Sequence, residues 1–95
     1  MAAYLIANID VTDAAGYEDY RRLAPAAIAA HGGRYLARGG ATAQLEGDTP
    51  AHRLVILEFP DMLRLKAFYH SPEYQPLVAI RNRHARSSLL AVEGL

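Results

Sequence analysis

Arg38 heads the residues whose chemistry could matter in this chain. It closes the short run Tyr35-Leu36-Ala37 and precedes a glycine pair, Gly39-Gly40. A guanidinium at the end of a sheet can hold a carboxylate or an enolate through two parallel hydrogen bonds. It can equally lock the loop that follows, through an ion pair with Asp10, Glu46 or Asp48, and structural ion pairs are common. Arg53 opens the next apolar run, and with Asp10 it falls at the same end of the expected sheet. Asn8, Asp10 and Glu58 are polar positions inside otherwise apolar segments. A carboxylate buried there has its pKa raised unless it is paired, which suits a general base. An acid at a strand end also commonly meets solvent or an arginine.

The four histidines, His31, His52, His70 and His84, are scattered. No pair has i,i+4 spacing or an accompanying acid in a ligand pattern, so no metal site is expected. His31 falls at a helix C-terminus, where the dipole favours an imidazolium, and beside Arg38 or Tyr69 it could act as an acid or base. Tyr69 and Tyr74 flank Ser71-Pro72-Glu73. They supply either one wall of a cleft with hydroxyl donors or plain core packing. Gly39-Gly40 lacks the lysine and following helix of a phosphate loop, and reads instead as a bulge or positive-φ turn. No nucleophile elbow is present. The candidates are therefore Arg38, His31, Tyr69 and Glu58 for catalysis, and Asn8, Asp10, Arg38, Arg53 and Tyr74 for ligand binding.

These residues are positioned by alternating strand and helix signals. Tyr4 to Val11 is a strand with Leu5, Ala7, Ile9 and Val11 on one face. Thr12 or Asp13 caps a helix whose Tyr17, Tyr20, Ala24, Ala27 and Ile28 recur at three- and four-residue steps. Pro25 lies inside that pattern and predicts a kink or break, and Gly32-Gly33 ends the helix. Strands follow over Arg34–Arg38, with Arg34, Leu36 and Arg38 sharing a face, and over Arg53–Phe59. Asp61 caps a helix running to about His70. Ser71-Pro72-Glu73 starts another, to about His84, before a last strand over Ser88–Val92.

The order βαββαβ favours a ferredoxin-like α+β domain over residues 1–95, a four-stranded antiparallel sheet with helices on one face. Leu54-Val55-Ile56-Leu57 is apolar on both faces, which a sheet exposed on one side tolerates poorly. Val55, Leu57 and Phe59 can face the helices, leaving Leu54, Ile56, Ile6 and part of Leu89–Val92 on the other side. About 25 cal/mol per Å2 of apolar surface favours covering that side. The expected cover is a second copy, giving a homodimer packed sheet to sheet.

Composition narrows the function. Ten basic and ten acidic residues give no net charge, which argues against nucleic acid or an anionic membrane as the main partner. A βαββαβ order also suits RNA-binding domains, but Arg53–Phe59 carries one aromatic rather than a stacking row. The chain has no cysteine, so disulfides and thiolate chemistry are excluded. Met1 leads straight into a strand-like segment with no signal-type apolar region, so a cytoplasmic location is expected.

With the elements placed, the chain resembles the bacterial domain-of-unknown-function family numbered 1330. The resemblance rests on Tyr17-Glu18-x-Tyr20, Pro25, His31-Gly32-Gly33-Arg34-Tyr35-Leu36-x-Arg38-Gly39-Gly40, Leu45-Glu46-Gly47-Asp48, Arg53, Glu58-Phe59-Pro60, Phe68-Tyr69-x-Ser71-Pro72-Glu73-Tyr74 and Arg81. It implies the dimeric α+β-barrel superfamily, in which ferredoxin-like protomers pair through their sheets. That superfamily includes small monooxygenases, isomerases, dehydratases and haem enzymes, and the resemblance carries over no catalytic residue. No histidine is set as a haem ligand, and no cofactor is expected. The resulting expectation is a dimeric protein that binds or transforms a small carbonyl- or enol-type molecule, as a cofactor-free isomerase, lyase or monooxygenase. The alternative is a non-catalytic dimeric module whose polar residues are all structural.

Overall fold

Alternating apolar residues make the first strand, β1 (Ala3–Val11), whose Ala3, Leu5, Ala7 and Ile9 are buried. The computed structural model describes residues 1–95 throughout. Asp13 then caps α1 (Ala14–Ala30), its carboxylate accepting from the Gly16 N–H. Pro25 lies within α1 without breaking it. The expected break does not occur, because proline costs one backbone bond while the buried stripe Tyr17, Tyr20, Ala24, Ala27 and Ile28 holds both halves of the helix to the sheet. Gly32 ends the helix at φ +78°, with Gly33 N–H donating to the Ile28 carbonyl and Gly32 N–H to that of Ala29, the paired bonds of a Schellman cap.

The chain continues through β2 (Arg34–Arg38), β3 (Arg53–Phe59), α2 (Met62–Tyr69), α3 (Gln75–His84) and β4 (Ala85–Glu93). Ser71 caps a tight turn rather than α3: its hydroxyl accepts from the Tyr74 N–H, and α3 opens later, at Gln75-Pro76. Proline at the helix start lacks an N–H that would have no intrahelical partner there. No helix is long and apolar enough to cross a membrane.

The four strands form one antiparallel sheet in the order β2-β3-β1-β4. All three helices lie on one side, and the core between the layers is made by Leu5, Leu57, Phe59, Leu65, Phe68 and their neighbours. This is the ferredoxin-like α+β architecture expected from the sequence. The opposite face keeps an apolar row across all four strands, Ala37-Ile56-Ile6-Leu90, with Ile6 and Leu90 exposed.

One irregularity changes which residues reach the core side. Tyr35 pairs with Leu57 and Ala37 with Ile56, so Leu36 is an extra residue in β2. Such a bulge flips the side-chain alternation beyond it. Arg38 therefore pairs with Val55, a residue buried beneath the helices, and shares a face with Tyr35. The expected common face for Arg34, Leu36 and Arg38 is not formed.

Candidate functional site

The bulge delivers Arg38 to a cavity between the sheet and α1. Small residues make the space: Ala7 on β1 and Ala24 on α1 line it together with Leu5, Ile9, Ile28, Val55, Leu57 and Leu89. Its polar lining is four tyrosines, Tyr17, Tyr20, Tyr35 and Tyr74, and four arginines, Arg21, Arg38, Arg53 and Arg81, with no carboxylate and no histidine.

Arg21 is paired with Glu18 at the surface. The other three form no ion pair with any acid of the chain; each has a tyrosine instead. Arg38 stacks over the Tyr35 ring at 4.6 Å. Arg53 lies beside the Tyr17 phenol, its guanidinium passing over Gly39 where a Cβ would collide with it. Arg81 is 3 % exposed and donates from Nη1 to the Tyr74 hydroxyl at 2.7 Å. That hydroxyl is in turn 2.7 Å from the Tyr20 hydroxyl. The Nε groups of Arg53 and Arg81 are buried without a partner.

A phenol satisfies a guanidinium without neutralising it. Burial pushes the Tyr17, Tyr35 and Tyr74 phenols above the ordinary tyrosine value, Tyr74 far above, and the nearby arginines only partly oppose this. All three stay neutral at pH 7, so the cationic charge around the cavity is uncompensated. Arginine cannot shed its proton to escape the cost of burial. A small anion entering the cavity supplies the missing countercharge.

The sequence candidates divide accordingly. Arg38, Arg53 and Tyr74 meet at the cavity. Asn8 instead holds the β2–β3 loop by both ends of its amide, donating to the Pro50 carbonyl and accepting from the His52 N–H. Asp10 lies on the outer sheet face, 3.8 Å from the His52 imidazole. Glu58 is bound to Arg34 across the β2–β3 pair at 2.7 Å. His31 stands apart, between the end of α1 and Glu73, with its Nε2 3.6 Å from that carboxylate and its ring against Phe68. Tyr69 packs on the far side of Tyr74 and lines a separate groove with Lys66 and His70. No group of three or more histidine and acidic residues could hold a metal ion.

The model for the domain of unknown function DUF1330 matches residues 2–95. The chain belongs to the DUF1330 family. Among solved structures, this DUF1330 domain is similar to a Rhodopseudomonas palustris protein of unknown function at 19 % identity, with 99 % of this chain and 82 % of that one covered and a TM-score of 0.79. A dimeric ferredoxin-like protein of unknown function from Jannaschia matches at 13 % identity, 99 % and 100 % coverage and a TM-score of 0.72. SnoaB, a cofactor-independent oxygenase from Streptomyces nogalater, matches at 14 % identity, 99 % and 93 % coverage and a TM-score of 0.69. At these identities the likeness is one of fold. Among curated proteins none matches the chain in sequence.

Tyr17, Tyr20, Tyr35 and Arg81 were not among the candidates read from the sequence of this DUF1330 domain. The tyrosines pass as ordinary members of an apolar stripe. Arg81 carried a legible signal: it stands four residues after Leu77 and seven after Tyr74, which places a cation on the buried stripe of α3.

Proposed function

We propose that this protein is a homodimer, paired through the outer sheet face, that binds a small acidic carbonyl or enol compound in the arginine–tyrosine cavity and transforms it without a cofactor. The observation that carries this reading is the set of three arginines, Arg38, Arg53 and Arg81, around one cavity with phenols in place of carboxylates. A non-catalytic module would need those cations satisfied within the chain, and two of them keep buried, unpartnered Nε groups.

The chemistry follows from what lines the cavity. Guanidinium groups stabilise an enolate as its charge develops, and the apolar walls strengthen that interaction by excluding water. No lining group takes up a proton readily at pH 7. The compound must then be one that ionises easily itself, as an enol or an acid already bearing charge. Isomerisation, elimination and reaction of an enolate with oxygen all begin from such an anion, and the fold likeness to a cofactor-independent oxygenase supports the reading. The apolar row Ala37-Ile56-Ile6-Leu90 and the likeness to a dimeric ferredoxin-like protein support the sheet-to-sheet pairing.

Native mass spectrometry of freshly purified protein, followed by a thermal-shift screen of enolisable acids, tests the proposal. A binder at a hundred times its dissociation constant adds about 2.7 kcal/mol, which moves the Tm of a chain this size by more than about 10 °C. Arg38→Gln and Arg53→Gln should abolish the shift. A panel in which no acid raises the Tm, with no co-purifying mass, sinks the binding reading.

A further inference from the structure

The hydrogen-bond chain in the cavity has a direction. Arg81 has donors only, so the Tyr74 oxygen is the acceptor of its Nη1–H. Either hydroxyl of the 2.7 Å Tyr20–Tyr74 contact can donate by distance alone, and a phenol that already accepts a charge-assisted bond is the stronger donor, which assigns the bridging proton to Tyr74. The Tyr20 proton is then left over. Tyr20 is packed against the Tyr17 ring at 5.3 Å, lines the cavity and is buried, which leaves the cavity as the place its proton can be used.

The cations are also graded by depth. Arg81 is almost wholly buried, whereas Arg38 is exposed beside the half-buried Tyr35. The space, open to the surface beside Arg38, measures about 30 Å3, enough for one or two waters. Anything larger must displace Arg38, the exposed side chain, and is confined on its other sides by Leu5, Leu57 and Leu89.

We infer that the ligand is a short oxo acid, its carboxylate held by Arg38 and Arg53 and its oxo or enolate oxygen receiving the hydroxyl proton of Tyr20, with Tyr74 and Arg81 as positioning residues. This rests on the acid-binding reading of the cavity and adds to it a second, oxygen-specific contact. Tyr20 discriminates between acids by whether they carry an oxygen to accept its proton; a site that binds charge alone does not.

Calorimetric titration with 2-oxobutyrate, acetoacetate and butyrate tests it, since the three share a carboxylate and a four-carbon chain. The wild-type protein should bind the better oxo acid about tenfold more tightly than butyrate, the worth of one good hydrogen bond. Tyr20→Phe should erase that preference and leave butyrate unchanged. Tyr74→Phe should reduce it, because Tyr20 keeps its hydroxyl but loses its polarising partner. A merely structural role for either tyrosine would weaken all three acids together, and that outcome overturns the inference. Equal binding of oxo acid and butyrate to the wild type also overturns it while leaving the acid-binding cavity intact. Failure of all three to bind overturns the inference, while the wider acid panel decides the binding reading it rests on.

Discussion

Replacing Arg81 by methionine separates a site from a scaffold. Arg81 is 3 % exposed, has no acidic partner and spends one hydrogen bond on Tyr74. Methionine roughly conserves the volume and packs as an unbranched apolar chain, so repacking costs less than about 1.5 kcal/mol. Losing the charge-assisted bond costs about 1.5–3 kcal/mol. Against this, the buried cation no longer has to be desolvated, a relief of several kcal/mol, and Tyr74 keeps its bond to Tyr20. The two sides nearly cancel or favour the variant. The expected result for Arg81→Met in acid-free buffer is a Tm unchanged or raised by up to about 8 °C, at about 4–8 °C per kcal/mol. Differential scanning calorimetry at one fixed protein concentration measures this, since the proposed dimerisation would make the Tm concentration-dependent. The same variant should lose the preference for oxo acids over butyrate while still being stabilised by acids bound through Arg38 and Arg53. A Tm lowered by more than about 8 °C would refute the reasoning, because it would show Arg81 to be a strut whose charge the native chain already satisfies.

Three further outcomes follow from the geometry. Gly39 has φ +66° and its absent Cβ would lie within 3 Å of the Arg53 guanidinium, so Gly39→Ala should cost about 1–2 kcal/mol in urea unfolding and also weaken acid binding; an unaffected affinity would show that Arg53 does not serve the site. Tyr74 titrates far above the ordinary phenol value in the folded protein, so folding is stabilised below pH 10 and loses about 1.4 kcal/mol per pH unit above it as the unfolded chain sheds its proton. Chemical unfolding at pH 9, 10 and 11 reads this slope, and Tyr74→Phe should make it shallower, with Tyr17 and Tyr35 keeping the remainder. Ile56→Asp places a charge in the centre of the outer apolar row, and multi-angle light scattering should find monomer in place of dimer at micromolar concentration. A dimer that survives the substitution places the pairing elsewhere.

Much of the fold was legible because its signals are local. Alternation in Tyr4–Val11, the Asp13 and Asp61 caps and the Gly32-Gly33 stop each state their own meaning. The helix boundary near Ser71 was not, because the serine caps a turn and a helix alike, and only packing around Tyr74 and Pro76 shows which. The site was harder for a different reason. Arg38 and Arg53 could be named as guanidinium groups at one end of the sheet, but strict alternation sends Arg38 to the outer face; the extra residue at Leu36 leaves no mark in composition. Glu58 and Asn8 looked chemical because polar residues in apolar strands are rare, and they are accounted for by Arg34 and by the loop amide bonds. Partners that decide such cases lie 24 to 44 residues away in sequence, beyond any local pattern.

The bulge at Leu36 amounts to a parity bit written into an otherwise standard strand. Closing the bulge by pairing Leu36 with Ile56 would leave β2 with a regular ladder and an equally plausible sheet, yet Ala37 and Arg38 would change sides. Arg38 would then project from the surface that a second copy is proposed to cover, and Ala37 would fill the space between the layers. A one-residue choice of register therefore stands between a cavity with three cations and a cavity with two, at little cost to the architecture. The same five residues thus make or unmake an anion site by where the edge strand places its bulge, with no change in the residues that flank it.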